Sequence, residues 1–253
     1  MKKKLLCLVL AVVCVLAMAA CGSKDEGASD DAAEKEVLVM ATNAEFPPYE
    51  YYEGDDIVGI DAEFAAAIAE KLGMELKIED MAFDSIIPAV QSGKADFGAA
   101  GMTVTEERQT QVDFSDTYYT GRQVIIVAEG NTEITGPDDL AGKKIGVQLG
   151  TTGDIYASDD YGDDCVERYN KGFEAVQALQ QGKIDAVIID DQPAQTFVKE
   201  TEGLVILETE YVEEEYALCF AKDSELVEKV NAAIAELKED GTFDEIIAKY
   251  IGE

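Results

Sequence analysis

Short apolar runs of strand length alternate with helical stretches that stop on glycine, and this alternation limits the possible folds more than any other feature. Residues 37–42, Val-Leu-Val-Met-Ala-Thr, read as a buried strand. Asp61 then caps a helix whose apolar face is Phe64, Ala65, Ile68 and Leu72, stopped by Gly73. Residues 74–79 alternate as a second strand, 83–91 predict a short helix with Pro88 near its start, and 95–100 form a third strand. Strands alternating with helices predict an α/β architecture with largely parallel sheets.

The pattern contains an internal echo. Phe83-Asp84-Ser85-Ile86 leads to Gln91-Ser92-Gly93-Lys94-Ala95-Asp96, and Phe173-Glu174-Ala175-Val176 leads to Gln180-Gln181-Gly182-Lys183-Ile184-Asp185. Two readings stand: a generic helix–glycine–strand unit met twice, or two lobes built on a related plan.

Composition removes several function classes. The chain has 253 residues, with 53 acidic side chains against 20 basic ones, a net charge of −33 and no histidine. A nucleic-acid binder needs a basic surface to displace counterions, so the charge argues against that class. Without imidazole, Ser-His-Asp and Cys-His catalysis and His-ligated zinc are excluded as well.

Three lysines at residues 2–4 precede an apolar run over 5–20, which is short for a membrane span and predicts a secretory leader (residues 1–20). A single N-terminal membrane anchor is the competing reading. Met18-Ala19-Ala20-Cys21 resembles a bacterial lipobox, with Met18 where leucine is usual. That resemblance implies acylation of Cys21, palmitate included, and retention on the extracytoplasmic face of the cell membrane. Several acyl chains are needed for stable anchoring. Residues 21–36, small and acidic, read as a flexible tether. Cys165 and Cys219 remain in the exported domain, where a disulfide is permitted. Free thiols are expected, because the two fall in different lobes below.

In open α/β sheets, ligands gather beyond the carboxyl ends of the strands. Four such ends carry chemistry: Asn43-Ala44-Glu45-Phe46-Pro47-Pro48-Tyr49, Gly101-Met102-Thr103, Gly150-Thr151-Thr152-Gly153, and Asp190 after Ala186-Val187-Ile188-Ile189. Arg108 offers a planar fork for a carboxylate, or a surface ion pair with Glu106 or Glu107. Asp190 is either the partner of an ammonium group or a helix N-cap ahead of Pro193. The Gly150–Gly153 turn either presents amides to an anion or is a plain strand-to-helix turn. Phe46, Tyr49 and Phe83 supply either walls or core. Arg108, Thr103 and Thr152 suit a carboxylate and Asp190 suits an ammonium, and α-amino acids carry both.

The run Ala100-Gly101-Met102-Thr103-Val104-Thr105-Glu106-Glu107-Arg108, with Val112-Asp113-Phe114-Ser115 and Tyr118-Tyr119, resembles the extracellular solute-binding proteins of polar amino acid ABC transporters. Residues 146–153, 184–191 and 237–243 extend the likeness over most of the chain. The resemblance implies a two-lobed periplasmic-binding-protein type II fold with an interlobe cleft and a two-strand hinge. Residues 37–121 with 214–253 would form lobe 1, and 122–213 lobe 2. It implies that Arg108, Thr103, Thr151 and Thr152 hold the ligand carboxylate, and that Asp190 and the Gly101 carbonyl hold its ammonium. Asn43, Glu45, Phe46, Phe83 and Gln148 would contact the side chain, which is polar or basic (arginine, lysine or glutamine). The expected partners are that amino acid, a membrane permease and, through the lipid, the membrane. The receptor is expected as a monomer with no cofactor or metal. Two other readings stand beside it: an enzyme on the same scaffold, such as a dehydratase with Glu45 or Asp190 as base, or a sensing lipoprotein that signals through a separate protein.

Overall fold

The computed structural model describes residues 35–209 and 211–252. The leader, Cys21 and most of the expected tether lie outside the described residues. Two mixed sheets organise the rest. The first has the order Glu75–Asp80, Val37–Thr42, Phe97–Gly98, Cys219–Phe220, Asp113–Phe114. Its first three strands are parallel, and Cys219–Phe220 runs against both of its neighbours. The second sheet has the order Val166–Tyr169, Ile145–Gln148, Ala186–Asp190, Tyr119–Ala128, Leu204–Ile206, with Val212–Tyr216 also paired to Tyr119–Ala128. Here Val166–Tyr169, Ile145–Gln148 and Ala186–Asp190 are parallel, and Tyr119–Ala128 is antiparallel to its partners. A small meander, Glu45–Phe46, Glu50–Glu53 and Asp56–Val58, stands beside them. The result is an α/β fold of two lobes.

The chain passes between the two sheets after Asp113–Phe114 and again after Val212–Tyr216. The strands that make these passages, Tyr119–Ala128 and Val212–Tyr216, pair with each other, Gly121 opposite Glu214 and Tyr119 opposite Tyr216. Tyr216 packs so closely on Gly121 that a Cβ there would stand 2.4 Å from the phenol oxygen.

The helix Ile60–Leu72 buries Phe64, Ala65 and Ile68 and ends on left-handed Gly73, as the apolar spacing predicts. Its cap differs from expectation. Gly59 occupies the N-cap position, and Asp61 lies inside the first turn, fully buried, accepting bonds from the Gly101 N–H at 2.8 Å and the Tyr118 hydroxyl at 2.8 Å. A buried carboxylate that ties a loop to a helix has the same local sequence as a cap. The expected third strand shortens to Phe97–Gly98. Cys165 and Cys219 are free thiols, one in a turn beside the second sheet and the other in a strand of the first.

The sequence echo recurs bond for bond. After Ile86–Gln91, the Lys94 N–H reaches the Ala89 carbonyl at 2.9 Å. After Gly172–Gln180, the Lys183 N–H reaches the Ala178 carbonyl at 3.0 Å. Asp96 and Asp185 then enter their strands in the same way. Each gives its N–H to a neighbouring strand (Val39 and Lys144 carbonyls, both 2.8 Å). Each accepts in return from Val39 N–H at 2.7 Å and Lys144 N–H at 2.8 Å. These carboxylates lock the register of the strands that carry Gly101 and Asp190. Asp96→Ala and Asp185→Ala should each cost about 1 kcal/mol in urea unfolding. The double variant should lose the sum, since the sites lie in separate sheets.

Candidate functional site

The carboxyl ends of strands from both sheets meet at a cavity lined by Asn43, Phe46, Glu50, Phe83, Ala100, Gly101, Thr103, Arg108, Gln148, Thr151, Thr152 and Asp190. Asn43, Gly101 and Thr103 follow strands of the first sheet. Gln148, Thr151, Thr152 and Asp190 end strands or start helices of the second. The cavity therefore lies between the lobes.

Arg108 arrives on the short helix Glu106–Gln109, whose N-cap Thr105 accepts the Arg108 N–H at 3.1 Å. Its side chain turns inward and is buried. One nitrogen, Nη1, donates to the Thr103 carbonyl at 2.8 Å; the other, Nη2, donates to the Gly150 carbonyl at 3.1 Å. The guanidinium carbon stands 5.4 Å from the centre of the Phe83 ring. Both bonds go to carbonyls, one from each lobe, rather than to Glu106 or Glu107. Burial lowers the Arg108 pKa, and the nearby charge of Glu214 opposes that shift.

Asp190 ends the strand Ala186–Asp190 and occupies the N-cap position of Asp191–Glu200, yet its side chain makes no capping bond. Its Oδ2 accepts from Gln123 Nε2 at 2.8 Å, and its Oδ1 accepts from the Tyr216 hydroxyl. Gln123 Nε2 also reaches Glu214 Oε2 at 3.0 Å, and that oxygen accepts from the Thr103 hydroxyl at 3.0 Å. A buried chain of polar groups thus runs from Thr103 through Glu214 and Gln123 to Asp190. Burial pushes the Asp190 carboxyl up to about 7, with the charge of Glu214 adding to it.

The Gly-Thr-Thr-Gly turn is partly self-satisfied. The Gly150 N–H donates to Asp154 Oδ2 at 3.0 Å, and the Thr151 N–H donates to the Gln148 carbonyl at 3.3 Å. The Thr151 hydroxyl caps the helix Thr152–Tyr161. The Thr152 hydroxyl lies 3.4 Å from Gln123 Nε2. Across the cleft, Gln148 Nε2 donates to Asn43 Oδ1 at 2.8 Å, while Asn43 Nδ2 donates to the Met81 carbonyl at 2.9 Å. Gly101 must be glycine. Its φ is +52°, and a Cβ would stand 3.0 Å from the edge of Phe46.

Ten of the expected residues line the cavity: Arg108, Thr103, Gly101, Thr151, Thr152, Asp190, Asn43, Phe46, Phe83 and Gln148. Glu45 does not. It pairs with Lys171 and faces a separate, outer groove together with Tyr51 and Phe173. Alternation along the strand Glu45–Phe46 explains this: Phe46 points in, so its neighbour points out. Tyr49 is core, packed on Phe46 and Tyr216 with ring centroids 5.7 and 5.4 Å away. Glu50, Gln123, Glu214 and Tyr216 were not legible in the sequence. An acid between tyrosines carries no local signal of burial, and the partners of Gln123 and Glu214 come from distant segments.

Residues 38–253 match the bacterial extracellular solute-binding proteins, family 3. The chain belongs to that family. This family 3 protein is 40% identical, over 99% of its length and 98% of the relative's, to the arginine-binding extracellular protein ArtP of Bacillus subtilis. The solved structure of an ancestral arginine-binding protein bound to arginine is 43% identical, with a TM-score of 0.81 over 87% of this chain and 100% of that one. The solved structure of an ancestral arginine-binding protein bound to glutamine gives the same identity and TM-score, over 87% of this chain and 99% of that one.

The electrostatics of the cleft set a pH dependence for this solute-binding protein. Asp190, at about 7, keeps a proton in the folded state that an unfolded aspartate, near 3.9, releases. Stability from this group is full below about pH 4 and is lost as pH rises through about 7. Asp61, pushed up to about 6 by burial, acts in the same direction. Melting temperatures of the ligand-free protein between pH 4 and 7.5 should therefore fall with rising pH, and Asp190→Asn should flatten the slope.

Proposed function

We propose that the protein is the receptor of an amino acid ABC transporter, taking a basic L-amino acid, arginine foremost, into the cleft and delivering it to a membrane permease. The observation that carries this reading is a buried guanidinium, Arg108, and a buried carboxyl, Asp190, lining the same cavity. A zwitterion needs both. The names of the relatives above, which bind arginine or are bound to arginine or glutamine, support the same ligand class.

In this reading the ligand carboxylate lies against Arg108, with Thr103 and the start of the Thr152–Tyr161 helix assisting through amide N–H groups and the helix dipole. Two carbonyls take two of the five N–H donors of the guanidinium, which leaves the fork able to accept a carboxylate. The ammonium lies between Asp190 and the Gly101 carbonyl, and its charge stabilises the ionised form of Asp190. The ligand side chain runs between Phe46 and Phe83 toward Asn43 and Gln148.

Lobe 1, residues 37–121 and 214–253, and lobe 2, residues 122–213, rotate about the paired strands. Since the two ends of the ligand are read from different lobes, binding favours closure by the ligand's extra affinity for the closed form. Inverting a 1:99 equilibrium takes about 5.5 kcal/mol. Cleavage before Cys21 and its acylation hold the monomeric receptor on the membrane, near the permease.

A thermal-shift panel of the twenty amino acids should give arginine the largest rise in melting temperature. Arg108→Ala should then lower calorimetric affinity for every α-amino acid by about 100-fold or more, since two charge-assisted bonds of about 1.5–3 kcal/mol each are lost. Arg108→Lys, which keeps the charge and loses the fork, should fall between the two. A normal affinity in Arg108→Ala, or a panel with no shift at all, would count against this function. Asn43→Ala should alter the order of preference among arginine, lysine and glutamine more than total binding; equal losses for all three would remove Asn43 from side-chain recognition.

A further inference from the structure

We propose that Glu50 selects the side chain of the ligand by receiving a second, distal cation, a guanidinium above all, on its carboxylate. This rests on the amino acid reading above and sharpens it. Glu50 is 1% exposed, lines the same cavity as Arg108 and Asp190, and has the carboxyl of Asp61 as its side-chain neighbour, with no cation or N–H donor on either oxygen. Its backbone is fixed by pairing with Phe46, so the acid and an aromatic wall of the cavity are set opposite each other. The charged groups acting on it are all acids: Asp61, Asp190 and Asp80.

A carboxylate buried without a donor is costly, and acidic neighbours make it more so. A plain zwitterion leaves this cost in place. Its carboxylate is matched by Arg108 and its ammonium by Asp190, so Glu50 is an acid in excess. A ligand with one further positive group completes the balance, whereas an acidic side chain meets repulsion. Between cations, the planar fork of a guanidinium offers two parallel donors to the two oxygens of a carboxylate, which the point charge of an ammonium does not.

Burial and the neighbouring acids hold the Glu50 carboxyl well above the usual range in the ligand-free protein. A cation arriving at Glu50 therefore displaces its proton to the buffer. Citrulline has the shape of arginine with a neutral ureido group, and both share the same ammonium at Asp190. The difference in proton release between the two ligands isolates Glu50.

The test is titration calorimetry of the purified protein at pH 7.5 with arginine, lysine and citrulline, in two buffers of different ionisation enthalpy. The wild type should bind arginine about 100-fold more tightly than citrulline, as expected for a site left with an unpaired buried group by the analogue. Arginine should release more protons than citrulline. Glu50→Gln, nearly isosteric, should bring the arginine-to-citrulline ratio below about 10 while leaving citrulline affinity within about threefold. An unchanged ratio in Glu50→Gln, or equal affinity and equal proton release for the two ligands in the wild type, would overturn the role of Glu50 while leaving amino acid binding intact. A wild type that binds none of the three would overturn both this role and the function it rests on. Should Glu50→Gln fail to fold, the wild-type proton release decides.

Discussion

A guanidinium sealed between two lobes is tolerable only while both supply acceptors. Arg108 meets that demand with the Thr103 carbonyl from one lobe and the Gly150 carbonyl from the other. Separating the lobes would leave the second bond to water. The features around the cleft follow from keeping this cation in place. Thr105 caps the turn that carries it, Phe83 covers its face, and Gly150, at φ +78° with Asp84 packed against it, lets the second lobe approach closely. A side chain at residue 150 would hold the carbonyl away.

The acids of the cleft form the counterpart. Glu214 belongs to one of the two strands on which the chain passes between the sheets, and it accepts from Thr103 on one side and Gln123 on the other. Gln123 passes the connection to Asp190. The junction of the lobes and the ligand cavity are therefore joined by one chain of hydrogen bonds. Its charge acts on Arg108 and on Asp190 alike. In low dielectric such a network polarises its members and resists being half-made. Among the residues that line the cavity, the acids Glu50 and Asp190 outnumber the cation Arg108.

Glu45 and Glu50 show where sequence reasoning reached its limit. Both are acids a few residues past the end of the strand Val37–Thr42, and local chemistry does not distinguish them. The meander does. It turns Glu45 out to Lys171 and Glu50 in to the cavity. Asp61 is a similar case, a residue with the local pattern of a cap and the tertiary role of a tie to Gly101 and Tyr118. The repeated helix–glycine–strand unit was legible, and so were the strand ends, because each depends on neighbours within a few residues.

The sequence by itself determined the alternation of strands and helices, the glycine stops, and which strand ends carry Thr103, Thr152 and Asp190. Periodicity and backbone freedom are local properties, and an apolar run with its punctuation contains them. Tertiary structure alone decided which groups share one cavity, which acid is turned inward, and that burial raises Asp190. Those outcomes depend on distances between segments more than a hundred residues apart, as for Thr103 and Glu214. They depend also on loss of water, which no stretch of sequence records.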